Sequence, residues 1–161
     1  MCGTEVSDEE QMANAILRRL EDRFARFVRF EPRTRSHVSR VPTILCIDDE
    51  VLGLEIRKVV LEREGYLVYT ATDGPTGIRI FRQQPIDAVV LDFAMPGMNG
   101  GAVAMALREI RPSVPILLLS AYLSLPEEVQ NLVTLVANKG DGALALLGNV
   151  KRILESSGDL S

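Results

Sequence analysis

The chain has 161 residues, 47% of them hydrophobic, and a net charge of −4. That is enough for one domain with a full core and a short appendage; it excludes a disordered chain and leaves no basic field for direct DNA binding. The two cysteines, Cys2 at the terminus and Cys46 inside an apolar run, provide neither a disulfide framework nor a metal-ligand spacing. No apolar stretch reaches the roughly 18 residues needed to span a bilayer. The N-terminus lacks the basic-then-apolar order of a signal peptide. A cytoplasmic protein, with Cys46 as a small core residue, is the expectation. The charge is uneven: residues 1–40 hold eight Arg against seven Asp or Glu, and the remainder holds ten Lys or Arg against fifteen Asp or Glu.

Residues 8–30 have a helical pattern. Met12, Ile16, Leu20, Phe24, Phe27 and Val28 recur at spacings of three and four and form one apolar stripe. Ser7 is a candidate cap, Asp8, Glu9 and Glu10 suit the positive end of the helix dipole, and arginines load the later turns. A helix of this length is marginal alone and needs a surface on which to bury its stripe. Self-docking or a homodimer through residues 8–30 ranks first, a partner protein second and a membrane surface last, because acidic residues interrupt its basic face. Residues 31–42 carry no periodic apolar pattern and read as a linker. They include the single histidine, His37, which has no metal-ligand companion. The expected division is a helical extension and linker over 1–42 and a domain over 43–157.

From Thr43 strands and helices alternate. Strands are expected at 43–47, 66–70, 88–91, 116–120 and, more weakly, 134–137. Helices are expected at 51–64, 75–83 with Pro at the first turn, 101–110, 126–132 with Ser124 as cap, and 143–154. Five strands alternating with helices imply right-handed crossovers and a parallel sheet covered on both faces.

Chemistry in such sheets gathers beyond the carboxyl ends of the strands. The first strand runs into Asp48-Asp49-Glu50, the third into Asp92, the fourth ends at Ser120, and the fifth runs into Asn138-Lys139. Strand one is central, so the first and third ends are neighbours. Three carboxylates crowded together repel one another and invite a hard, oxygen-seeking cation such as Mg2+. Asp49 and Asp92 would hold it, with Asp48 ligating through water and an open position left for a phosphoryl oxygen. Lys139 supplies a point charge suited to phosphate, and Ser120 a hydroxyl donor. This set fits an Asp nucleophile that accepts a phosphoryl group as an acyl phosphate.

With these residues in place, 43 from Asp49 to Asp92, 28 on to Ser120 and 19 on to Lys139, residues 43 to about 155 resemble the receiver domain of bacterial two-component response regulators. The run Asp92-Phe-Ala-Met-Pro-Gly-Met-Asn-Gly100 is the most family-like segment. The resemblance implies a flavodoxin-like α/β fold with strand order 2-1-3-4-5 and phosphorylation of Asp92 by a histidine kinase or phosphotransfer protein. It also implies an acidic metal pair at Asp48 and Asp49, a metal ligand from the Ala94 backbone carbonyl, a switch hydroxyl at Ser120 and a phosphate-binding lysine at Lys139. The expected protein is a stand-alone receiver that signals through protein contacts or passes phosphate along a relay and is not a turnover enzyme.

Four positions depart from the family pattern. Gly140 stands after Lys139 where proline is usual, so a trans bond or a remodelled loop is expected. Val136 stands where a switch aromatic is usual, and a buried valine cannot swing as a ring does. Tyr122 is a candidate substitute, or a shield for the site. Ala94 and Tyr122 stand where groups that influence attack by water often lie, and slow self-dephosphorylation is expected. Two rivals follow: a degenerate, non-switching receiver used as a binding or dimerisation module, and an Asp-nucleophile phosphohydrolase. Hydrolases of that kind usually carry a second Asp two residues after the nucleophile, which Ala94 lacks. The plainer readings are that Asp48 and Asp49 only cap the first helix, Asp92 is a turn residue, Ser120 bonds nearby backbone, Lys139 is an ordinary solvated lysine, and Glu50 is a first-turn dipole charge.

Overall fold

The computed structural model describes residues 11–12, 14–19 and 40–158. The chain divides into two units at Ser39 and Arg40. In the first, residues 11–12 and 14–19 are helical, Met12 is exposed, and Ile16 is half-buried. The rest of the expected stripe (Leu20, Phe24, Phe27 and Val28), the cap Ser7 and the linker residue His37 lie outside the described residues.

The second unit is a five-stranded, all-parallel sheet in the order β2-β1-β3-β4-β5, built from β1 (Thr43–Ile47), β2 (Leu67–Ala71), β3 (Ala88–Asp92), β4 (Ile116–Ser120) and β5 (Leu135–Asn138). It has the expected order. The three inner strands are buried at every position, which explains why they read as unbroken apolar runs. The outer strands β2 and β5 are only partly buried, and β5 is the weakest in sequence for that reason.

Side chains on the inner strands alternate between two cores. Leu45, Ile47, Val89, Leu91, Ile116 and Leu118 face α2 (Gly74–Gln83) and α3 (Gly100–Ile110), where Phe81, Val103 and Leu107 complete the packing. Ile44, Cys46, Val90, Leu117 and Leu119 face α1 (Val51–Arg63) and α5 (Gly142–Gly158), closed by Leu54, Leu61, Val150 and Ile153. Cys46 is fully buried, and desolvation pushes its thiol up to about 12, as befits a core residue.

Local chemistry starts the helices. The Asp73 carboxylate caps α2 by accepting from Thr76 N at 2.7 Å, with Pro75 in the first turn. The Asn99 side chain caps α3 by accepting from Ala102 N at 3.0 Å. Two expectations need correction. The fourth helix is a single turn, α4 (Glu127–Gln130), capped by Pro126 without a side-chain bond, so Ser124 is not its cap. The second and fifth strands each lie one residue later than the apolar residues suggest, and Val136 is exposed (39%), not buried, because β5 is an edge strand.

Candidate functional site

The parallel register brings the chemistry-bearing residues to one rim. Ile47 pairs with Leu91, Asp92 with Leu119, and Ser120 with Asn138. The ladder runs one residue beyond the strands: Asp48 N donates to Ala71 O at 3.1 Å, Phe93 N to Leu119 O at 2.9 Å, and Lys139 N to Ser120 O at 3.0 Å. Asp48, Asp92 and Lys139 are thus fixed by backbone bonds before any side chain acts. The buried polar residues include Asp48 (1% exposed), Asp92 (2%) and Ser120 (2%). Asp49 is exposed, and Ala94 lies exposed in the loop two residues past Asp92.

The side chains converge. Lys139 Nζ lies 3.0 Å from Asp48 Oδ2, 3.2 Å from Asp92 Oδ1 and 3.7 Å from Glu50 Oε2. Burial alone would lower the pKa of Lys139, but the two buried carboxylates outweigh it and hold the ammonium above its ordinary value. Asp92 is shifted the other way for a carboxylate: burial and the charge of Asp48 raise it, against the pull of Lys139. Its second oxygen, Oδ2, is buried and has no hydrogen-bond partner among the described residues. An unsatisfied buried carboxylate oxygen is costly and calls for an explanation. One oxygen each from Asp48, Asp49 and Asp92 lies within 4.8 Å of the others. The donor set is all oxygen, carries excess negative charge, and includes a carboxylate with one oxygen that has no hydrogen-bond partner among the described residues. It fits a hard dication.

Asp48 and Asp49 do not cap α1: Glu50 is its cap residue, and no side chain completes the cap. The Asp48 carboxylate instead accepts from Glu50 N at 2.9 Å and from Arg57 Nη1 at 2.7 Å. Sequence reading missed Arg57. Its signal is the spacing from Asp48, which puts it two turns into α1 with its side chain directed back toward the strand end. The Ser120 hydroxyl oxygen accepts from Tyr122 N at 3.0 Å. Tyr122 is exposed, its ring edge-on to Phe93 at 6.0 Å. Gly100 was also missed as a site residue. A Cβ there would overlap the Asp92 carbonyl oxygen and lie 2.8 Å from Phe93 Cα, so only glycine lets α3 begin this close to the end of β3.

No cis peptide occurs among the described residues, so the Lys139–Gly140 bond is trans. Asn138 Oδ1 accepts from Gly140 N at 2.8 Å, and Gly142 adopts a positive φ of 80° to open α5. A side-chain turn thus shapes the loop that proline usually shapes.

Residues 44–139 match the family of response regulator receiver domains. The chain belongs to that family. A probable transcriptional regulatory protein of Mycobacterium tuberculosis, TcrX, is 38% identical over 90 residues, covering 56% of this chain and 38% of the relative. The sensory transduction protein RegX3 of the same organism is 30% identical over 123 residues, covering 73% of this chain and 52% of the relative. This chain therefore spans about half or less of those two relatives. Among solved structures, a CheY-like receiver domain protein from Methanospirillum hungatei superposes with a TM-score of 0.70 at 23% identity, covering 76% of this chain and all of the other. The response regulator TrrA of Thermotoga maritima, solved in complex with Mg2+–BeF, superposes with a TM-score of 0.66 at 31% identity, covering 70% of this chain and 99% of the other. Receivers as a family are phosphorylated in a Mg2+-dependent reaction at an acidic pocket, and response regulators interact with histidine kinases or phosphotransfer proteins. No helix among the described residues is long and apolar enough to cross a membrane.

Proposed function

We propose that this receiver is a phosphoacceptor whose nucleophile is Asp92, fed by a phosphohistidine on a histidine kinase or phosphotransfer protein. The observation that carries this reading is the Asp92 carboxylate itself, buried, with Oδ1 held 3.2 Å from Lys139 and Oδ2 unpartnered in an acidic cluster. An Asp92 oxygen attacks phosphorus in line, the P–N bond to the donor imidazole breaks, and the imidazole leaves with its electron pair. Lys139 and Ser120 stabilise the phosphoryl oxygens, Lys139 as a point charge and Ser120 by its hydroxyl hydrogen.

Asp49, Asp92 and the Ala94 carbonyl would hold Mg2+, with Asp48 ligating through water. The ion supplies charge neutralisation for the transferring group. The Mg2+–BeF complex of the Thermotoga relative supports this assignment. The protein turns over no substrate of its own and acts through contacts with other proteins, for which its receiver domain is the switch. Residues 1–42 serve as an extension that self-associates or docks, and residues 43–157 as the signalling domain.

The test is intact-mass measurement after incubation with acetyl phosphate and Mg2+. One phosphoryl adduct, absent in Asp92→Asn, is expected. No adduct under saturating donor overturns the reading. A non-switching receiver that only binds partners is favoured by one observation, the exposed Val136 in place of an aromatic ring. It predicts an adduct that changes no surface near β5.

A further inference from the structure

Asp48 is unusually well supplied with cations. Arg57 Nη1 lies 2.7 Å from its Oδ2, and Lys139 Nζ lies 3.0 Å from the same atom and 3.3 Å from Oδ1; Glu50 N completes the shell at 2.9 Å. Both side chains are largely enclosed, at 11% exposure for Arg57 and 1% for Asp48, so solvent screens the pair little. The guanidinium reaches Asp48 by lying back across α1 over Gly53. A Cβ on Gly53 would sit 3.1 Å from Nη1 and 3.6 Å from Cζ. Glycine is the smallest residue that α1 can place one turn before Arg57, and here it clears the path of the side chain. A cleft of about 430 Å3, lined by Arg57, Gly53, Lys139, Gly140, Leu146 and Asn149, adjoins the guanidinium and gives it room to withdraw.

We propose that Arg57 is a built-in counter-cation of the acidic pocket, competing with the divalent ion for Asp48 and so weakening Mg2+ binding. This rests on the reading that the Asp48, Asp49 and Asp92 cluster holds Mg2+. Three carboxylates with Lys139 alone leave strong negative potential for a dication. A second fixed cation on Asp48 removes part of it and occupies a carboxylate oxygen that water-mediated ligation would use. Arg57 thereby sets the Mg2+ concentration at which the site becomes loaded. It acts through Asp48 and is a positioning residue.

The test is calorimetric titration of Mg2+ into the full chain, for the wild type and for Arg57→Met, Arg57→Gln and Arg57→Lys, with circular dichroism to verify folding. Asp48 keeps Lys139 and Glu50 N in every variant, so its buried charge is never left bare. Arg57→Gln also retains a hydrogen-bond donor, should the methionine variant fail to fold. The expected result is Mg2+ affinity at least about tenfold tighter in the two neutral variants, the floor for removing one unit charge from beside a dication even in a water-like dielectric. Arg57→Lys keeps the charge and stays near the wild type. Neutral variants that bind Mg2+ no tighter than the wild type overturn the proposal and leave the metal assignment standing. Absence of saturable binding in all four proteins overturns the metal assignment and the proposal with it, and the mass experiment on Asp92 then reads independently whether phosphorylation survives.

Discussion

Two stretches of the strand-end rim are built differently. Where β1 and β3 end, the strands are buried at every position, the helices behind them pack on both faces, and Asp48 and Asp92 are pinned by ladder bonds and by Lys139. Where β4 hands over to β5, the outer strand is half open, α4 is one turn long, and Tyr122, Leu123 and Val136 are exposed. The difference teaches where rigidity is needed. Phosphoryl chemistry needs fixed charges in a poorly solvated place, and the centre of a parallel sheet supplies one. A surface that must differ between two states belongs at the edge, where few contacts oppose a change.

This contrast is open to direct attack. The largest effect is expected at the centre: Lys139→Met removes the ammonium that bridges Asp48 and Asp92, and the rate of adduct formation from acetyl phosphate, followed by intact mass, should fall at least a hundredfold, on the order of 3 kcal/mol of barrier. Gly100→Val drives a side chain into the Asp92 carbonyl and should cost about 2–3 kcal/mol of stability in chemical denaturation. Asn99→Ala removes the α3 cap and should cost about 1 kcal/mol by the same measurement.

Cys46 tests the dryness of the central core. In a Cys2→Ser background, a thiol probe at pH 8 should label the unfolded chain and leave the native one untouched. Its thiol titrates near 12 when folded against an ordinary 9.0, so its contribution to stability is complete below pH 9 and is lost as the pH rises from 9 toward 12. The smallest effect belongs to the edge: Leu123→Ser, at a fully exposed position, should move stability by no more than about 0.5 kcal/mol. A larger loss would show that this part of the edge is packed, and the contrast would fail there.

Much of this was legible in advance. Unbroken apolar runs ending in Asp48, Asp92 and Ser120 mark buried parallel strands, and a strand end is a fixed address in this fold, so these three residues and Lys139 lie on one rim. The β5 boundary, the length of α4 and the exposure of Val136 were misread for one reason: an edge strand and a one-turn helix have too few buried positions to leave a periodic pattern.

The sequence by itself determined the order of the elements and the covered parallel sheet, because local apolar patterning dictates these, and it supplied Asp48, Asp49, Asp92, Ser120 and Lys139 as candidate site residues. Only the tertiary structure decided that Arg57 reaches Asp48 across Gly53, that Gly100 must lack a side chain to let α3 approach Asp92, and that Asn138 shapes the loop after Lys139. These depend on distances between segments packed together in the fold, and no pattern along the chain encodes a clearance of a few ångströms between them.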